Sequence, residues 1–122
     1  MLDKFTEAYL ECALWSSTDP ETERPLDRDY TVEDIDPESL SEMILDCRQF
    51  QEQNNDDLKE AANLRYDAEA YAGHDFWLTR NGHGAGFWDR GLGKVGQRLT
   101  ETCKAWGSVD LMPDGNGKLV AY

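Results

Sequence analysis

Both histidines of this chain, His74 and His83, lie in residues 73–96, which read GHDFWLTRNGHGAGFWDRGLGKVG. The same stretch holds Asp75, Asp89, Arg80, Arg90 and Lys94, two pairs of aromatic rings (Phe76–Trp77 and Phe87–Trp88) and most of the ten glycines. Three chemistries are open to such a set. Histidine and carboxylate ligate metals, but no HExxH-like spacing is present. Neighbours on a helix also diverge by about 100°, which separates His74 from Asp75. Histidine beside a carboxylate makes a general base, but there is no GxSxG nucleophile and no cysteine close in sequence. Neither a metal ligand nor a catalytic residue is therefore assigned, and enzymatic activity is left open but not expected. In the third chemistry, rings stack a base while arginines and glycine-loop amides hold phosphate. That reading gives a candidate ligand pocket of Trp77, Arg80, His83, Trp88 and Arg90.

The competing account makes this block a packing keystone. Trp77 and Trp88 then lie in the core, Trp88→Ala unfolds the domain, and lysine replaces Arg80 or Arg90 with modest loss because each is only an ion-pair partner. The keystone is the expectation. Residues 91–96, GLGKVG, match GxGxxG literally, but the dinucleotide fingerprint needs a preceding strand and a βαβ unit. A helix and an aromatic loop precede it here, so no cofactor is expected. Gly93, Gly96 and Thr100 read instead as a small-residue stripe where another segment approaches closely.

The elements that must position this block are mostly helical. Leu2, Phe5, Tyr9 and Cys12 mark one helical face over 2–15, ended by Ser-Ser-Thr-Asp-Pro. Residues 17–36 form an acidic extended loop with a turn of helix near 31–34, where Thr31 caps. Asp36-Pro37-Glu38 starts a helix reaching about Gln53, and a further helical piece spans 58–64. Asp67 caps a helix that is apolar on nearly all sides, hence buried, and Asn81-Gly82 ends it. Leu92, Val95, Leu99, Cys103 and Trp106 give the last helix. Residues 108–122 read as a β-hairpin around Pro113-Asp114-Gly115-Asn116-Gly117. The expected fold is mainly α with an α+β character: one compact helical domain over 1–122 with a small C-terminal antiparallel hairpin.

Charge is the strongest compositional fact. The net charge is −13. Residues 1–73 carry 20 acids against 6 bases, and residues 74–122 carry 5 against 6, or −14 against +1. So acidic a half repels nucleic acid and anionic membrane and attracts a basic protein surface. The candidate partner-binding face comprises Asp27, Asp29, Glu33, Asp34, Glu38, Glu42, Asp46, Asp56 and Asp57. The three cysteines, Cys12, Cys47 and Cys103, form no CxxC pair and read as buried reduced thiols. No apolar run reaches transmembrane length.

Two blocks, AYLECALWSST at 8–18 and GHDFWLTRNGHGAGFWDRG at 73–91, carry a likeness, supported by Pro25-Leu26-Asp27 and by residues 107–111. With these the chain resembles a group of small acidic proteins encoded by bacteriophages and related mobile elements. The resemblance covers most of the chain and brings no functional residues with it. It implies the bacterial host cytoplasm as the setting. There, by analogy with other phage proteins, a small acidic protein inhibits a host enzyme or defence system, sometimes by imitating DNA charge. The expectation is a non-enzymatic accessory protein that binds a host protein with a basic or nucleic-acid-binding surface; the alternative is a small-ligand or nucleotide binder using the central block.

Overall fold

The computed structural model describes residues 2–64 and 66–122. Five α-helices and a two-stranded antiparallel sheet are formed: α1 (Lys4–Ser16), α2 (Pro37–Gln53), α3 (Asn55–Asn63), α4 (Ala68–Arg80), α5 (Lys94–Trp106), β1 (Leu111–Pro113) and β2 (Leu119–Ala121). The fold is mainly α, with the hairpin at its C-terminal end.

Aspartate starts three of these helices. Asp3 accepts the Thr6 N–H at 2.8 Å, Asp36 the Ser39 N–H at 3.4 Å and Asp67 the Ala70 N–H at 3.1 Å. Each satisfies an amide that the first turn leaves without a helical partner. Asn54 separates α2 from α3, its side-chain amide donating to the Phe50 carbonyl at 2.9 Å. The end of α4 is a Schellman turn: the His83 N–H donates to Leu78 O and the Gly82 N–H to Thr79 O, with Gly82 at φ +69°. Only glycine adopts that angle without a Cβ penalty.

The core is built on the pair α1 and α4. Gly73 is the contact point: a Cβ there would overlap the Phe5 carbonyl and come within 2.8 Å of the Tyr9 amide nitrogen. All four phenylalanines, Phe5, Phe50, Phe76 and Phe87, are buried and join in one ring cluster, in which Phe50 and Phe76 stack at 4.1 Å between centroids. The hairpin lies on this body through Leu111 and Leu119. The Asp36 N–H donates to Leu119 O at 2.8 Å, and the Ala121 N–H to Ser39 Oγ at 3.0 Å. The acidic segment 17–36 is closed and pinned rather than loose. A Thr18–Pro25 bridge draws its first part into a loop, Leu26 and Ile35 are buried, and short 3-10 turns cover Leu26–Arg28 and Val32–Asp34. Among the described residues no helix is long and apolar enough to cross a membrane.

The small-residue stripe needs correction. Gly96 does accept a close neighbour, since a Cβ there would sit 2.8 Å from the Phe87 carbonyl oxygen and 3.1 Å from Leu92 Cβ. Gly93 does not. It precedes α5 at φ +61° with open space beside it. Its role is backbone conformation, not packing, and what approaches Gly96 is the 3-10 turn Phe87–Asp89, not a helix.

Candidate functional site

The central block divides at Gly82. On the N-terminal side, α4 directs its polar groups inward. The Trp77 ring is buried, and its indole N–H donates to Ser16 Oγ at 2.8 Å; that hydroxyl in turn donates to Cys12 O at 2.7 Å. The Arg80 side chain is 3% exposed. Its Nε donates to Gly107 O at 2.8 Å and its Nη2 to Trp106 O at 3.3 Å, while Nη1 reaches Asp46 Oδ2 at 2.9 Å and Tyr9 Oη at 3.0 Å. The guanidinium also lies over the Phe76 and Trp106 rings, at 5.2 and 5.7 Å. One planar fork therefore joins α1, α2, α4 and the carbonyl end of α5, where positive charge is favoured.

Asp75 is fully buried and holds two linkers. Arg90 approaches it with two nitrogens, Nη2 at 2.8 Å from Oδ1 and Nε at 3.1 Å from Oδ2, and the Tyr66 hydroxyl donates at 2.5 Å. Arg90 also lies 5.4 Å from the Tyr71 ring centroid. Burial pushes the Tyr66 phenol far above its ordinary value, and the Asp75 charge adds to that shift; hydrogen bonding to Asp75 likewise raises Arg90. Both residues keep the forms the network requires.

On the C-terminal side the backbone is anchored and the side chains face out. The Gly86 N–H donates to Asp89 Oδ1 at 3.1 Å, and the Phe87 N–H to Thr79 Oγ1 at 3.2 Å. Phe87 is buried, but Trp88 is 55% exposed. The expectation of a core Trp88 is thus corrected: successive side chains of a 3-10 turn diverge by about 120°, so only one of the two rings can face the core, and Phe87 takes the inner place. The five residues of the candidate pocket do not converge on one depression. Arg80 is committed to the interior and Arg90 to Asp75, while His83 and Trp88 share a surface depression. Trp77 and His83 line a different one, between the ends of α1 and α4 and the start of the hairpin.

The acidic face separates by residue type. Asp29 pairs with Arg24 at 2.9 Å, Asp46 with Arg80, and Asp57 with Arg98 at 2.9 Å; Asp34 accepts the Thr31 N–H at 2.8 Å. Asp27, Glu33, Glu38, Glu42 and Asp56 are exposed and have no ion-pair partner among the described residues. Glu7 and Glu11, on the solvent side of α1, belong with them; their i,i+4 spacing on the polar face of the first helix is the signal that could have found them. Lys104, missed as well, faces solvent beside Trp88, one turn beyond Thr100, a position visible once α5 is phased by Leu99 and Cys103.

All three cysteines are free and fully buried. Desolvation raises the thiol pKa of each, Cys12 to about 12 and the other two further. That is the reverse of an activated thiolate nucleophile. Among the described residues no group of three or more His, Cys, Asp or Glu is placed to hold a metal ion. Comparison of the chain with family models, with curated protein sequences and with solved structures finds no match.

Proposed function

We propose that this chain is a non-enzymatic accessory protein of a bacteriophage or related mobile element, and that it binds and inhibits a bacterial host protein through exposed carboxylates. The observation that carries this reading is the arrangement of unpaired glutamates. Glu7 and Glu11 on α1, and Glu38 and Glu42 on α2, stand at i,i+4 on solvent faces without a basic partner among the described residues. Like charges at that spacing weaken a helix by about 0.2–0.5 kcal/mol per pair. Stability alone would favour lysine at one position of each pair. A basic partner surface reverses the sign of that cost. The resemblance to small acidic phage proteins supports a bacterial host as the setting, and a partner that ordinarily binds nucleic acid suits the charge best.

The test is capture from bacterial lysate by the wild-type chain and by a variant carrying Glu7→Gln, Glu11→Gln, Asp27→Asn, Glu33→Gln, Glu38→Gln and Glu42→Gln. A partner held at low salt should be released at high salt, because exposed charges are screened beyond about 8 Å already at physiological ionic strength. The neutralised variant should lose it with its melting temperature intact. Equal recovery by both proteins, or recovery indifferent to salt, would sink the reading.

A further inference from the structure

The depression shared by His83 and Trp88 encloses about 290 Å³ and is completed by Thr79, Gly82, Thr100 and Lys104. Three other depressions, beside Asp3, Asp110 and Asp19, each have a carboxylate in their lining, and this one has none. In a chain of charge −13, that is a local departure from the average. Its functional groups are also free. Four arginines, Arg24, Arg80, Arg90 and Arg98, sit in ion pairs, but Lys104 has no ion-pair partner among the described residues. The Trp88 indole N–H and the His83 ring likewise make no hydrogen bond to any described residue. Thr79 Oγ1 accepts the Phe87 N–H, which leaves its own O–H to donate.

The turn that carries the Trp88 ring outward is fixed. Phe87 plugs the core behind it, and the Gly86–Asp89 and Phe87–Thr79 hydrogen bonds anchor its backbone. An exposed tryptophan on an anchored turn is a stacking platform with only two side-chain torsions to order on binding. The site thus combines an aromatic face with an ammonium, an imidazole and two N–H or O–H donors. The volume lies just under the roughly 300 Å³ at which the range for ligand pockets begins.

We propose that this depression binds a planar aromatic anion of about the size of a nucleoside monophosphate, with the ring system on Trp88 and the anionic group at Lys104 and His83. The site is independent of the acidic face and stands or falls separately from it.

Titration of the ¹⁵N-labelled chain with adenosine 5′-monophosphate tests it, read at the tryptophan indole and backbone N–H resonances. A saturable shift is expected at the Trp88 indole; the affinity should be at least tenfold weaker in Lys104→Gln, followed at the same indole, and in Trp88→Ala, followed at the backbone amides of residues 79–88; both changes are at exposed positions, and thermal melts confirm that each variant is folded. Adenosine without phosphate should bind at least tenfold more weakly, as should inorganic phosphate alone. Shifts that do not saturate, or that persist unchanged in the two variants, overturn the site. Equal binding of adenosine and its monophosphate overturns the role of Lys104 and His83, and equal binding of inorganic phosphate overturns that of Trp88.

Discussion

Residues 73–80 and residues 83–93 draw on the same residue types and use them oppositely. In the first segment a tryptophan, an arginine and an aspartate all face inward, and the polar side-chain atoms of these three find internal partners. In the second, the backbone is what is fixed, and a tryptophan, a histidine and a lysine reached from α5 stay open to solvent. The difference comes from geometry rather than composition. Helix α4 is surrounded by α1, α3, α5 and the turn Phe87–Asp89, so nearly every direction from it is inward. The turn has only one inner position, and Phe87 occupies it. An arginine on a surrounded helix must carry its solvation with it, and Arg80 does so through four hydrogen bonds.

The sharpest way to break this contrast is at Arg80. Arg80→Met keeps much of the side-chain volume but strands Asp46 and the Trp106 and Gly107 carbonyls, and loss of one partner from a buried ion pair costs about 3–5 kcal/mol. Arg80→Lys keeps the charge but cannot reach all four acceptors from one ammonium, and unsatisfied buried acceptors cost about 1–3 kcal/mol each. Arg80→Lys should therefore be tolerated less well than the sequence alone suggests. At Arg90 the only hydrogen-bond acceptor among the described residues is Asp75, lysine keeps the charge, and Tyr66 still donates to that carboxylate, so lysine should be milder. Urea denaturation of the three variants ranks them: Arg80→Met, then Arg80→Lys, then Arg90→Lys. Parity of Arg80→Lys with the parent would show that the fork is dispensable.

The buried acids of the interior set a pH dependence. Cys12, Cys47, Cys103, Tyr9 and Tyr66 all have pKa values raised by burial. A raised value means that the unfolded chain releases these protons first, so stability is full below the unfolded values and falls as pH rises above them. For Cys12 the window runs from about 9, the ordinary thiol value, to about 12. Each group contributes a slope of about 1.4 kcal/mol per pH unit inside its window. The urea midpoint should hold level from neutral pH to pH 8 and drop steeply from pH 9 to 11, and Cys12→Ala should flatten part of that drop. A midpoint unchanged to pH 11 would place these groups in contact with water.

Much of this fold was legible because its signals are local. Asp36-Pro37, Asp67 and Asn81-Gly82 mark their helix ends by hydrogen bonds made within a few residues. The burial of α4 was legible too, because it is apolar on nearly all sides. Three things were not. The pairing of Arg80 with Asp46 and of Arg98 with Asp57 depends on helix packing, and each arginine had several acids to choose from. Gly73 carries the α1–α4 contact, yet in sequence it looks like any other glycine of the block. And two adjacent rings give no sign of which one turns inward. The candidate pocket failed to assemble for that last reason together with the first: residue types that suit a ligand equally suit an interior, and only tertiary structure assigns them.

Gly96 tests where the two regions touch. Phe87, on the outward-facing segment, packs its carbonyl against the first turn of α5. Gly96→Leu must push the Phe87–Asp89 turn away, which should cost about 1–3 kcal/mol and loosen the platform under Trp88. Gly93→Leu offers a control of different origin, because space is open there and only the left-handed backbone resists. Thermal melts separate them if the Gly96 change also alters the Trp88 indole resonance and the Gly93 change does not. Equal perturbation of Trp88 by both would mean that the turn responds to the backbone of α5's start rather than to close packing.

Trp88 itself should show the smallest effect on stability. Its neighbour Phe87 supplies the burial, the turn is fixed by hydrogen bonds from backbone groups of Gly86 and Phe87, and the indole touches none of them. Removing a ring that is more than half exposed leaves no cavity, so Trp88→Ala should lie within about 0.5 kcal/mol of the parent. Trp77→Ala, on the other side of Gly82, empties a core position and strands Ser16, at a cost of about 3–5 kcal/mol. The pair is the cleanest comparison in the molecule, since both substitutions remove the same side chain, eleven residues apart. A Trp88→Ala protein that melts as early as Trp77→Ala would return Trp88 to the core and close the depression beside it.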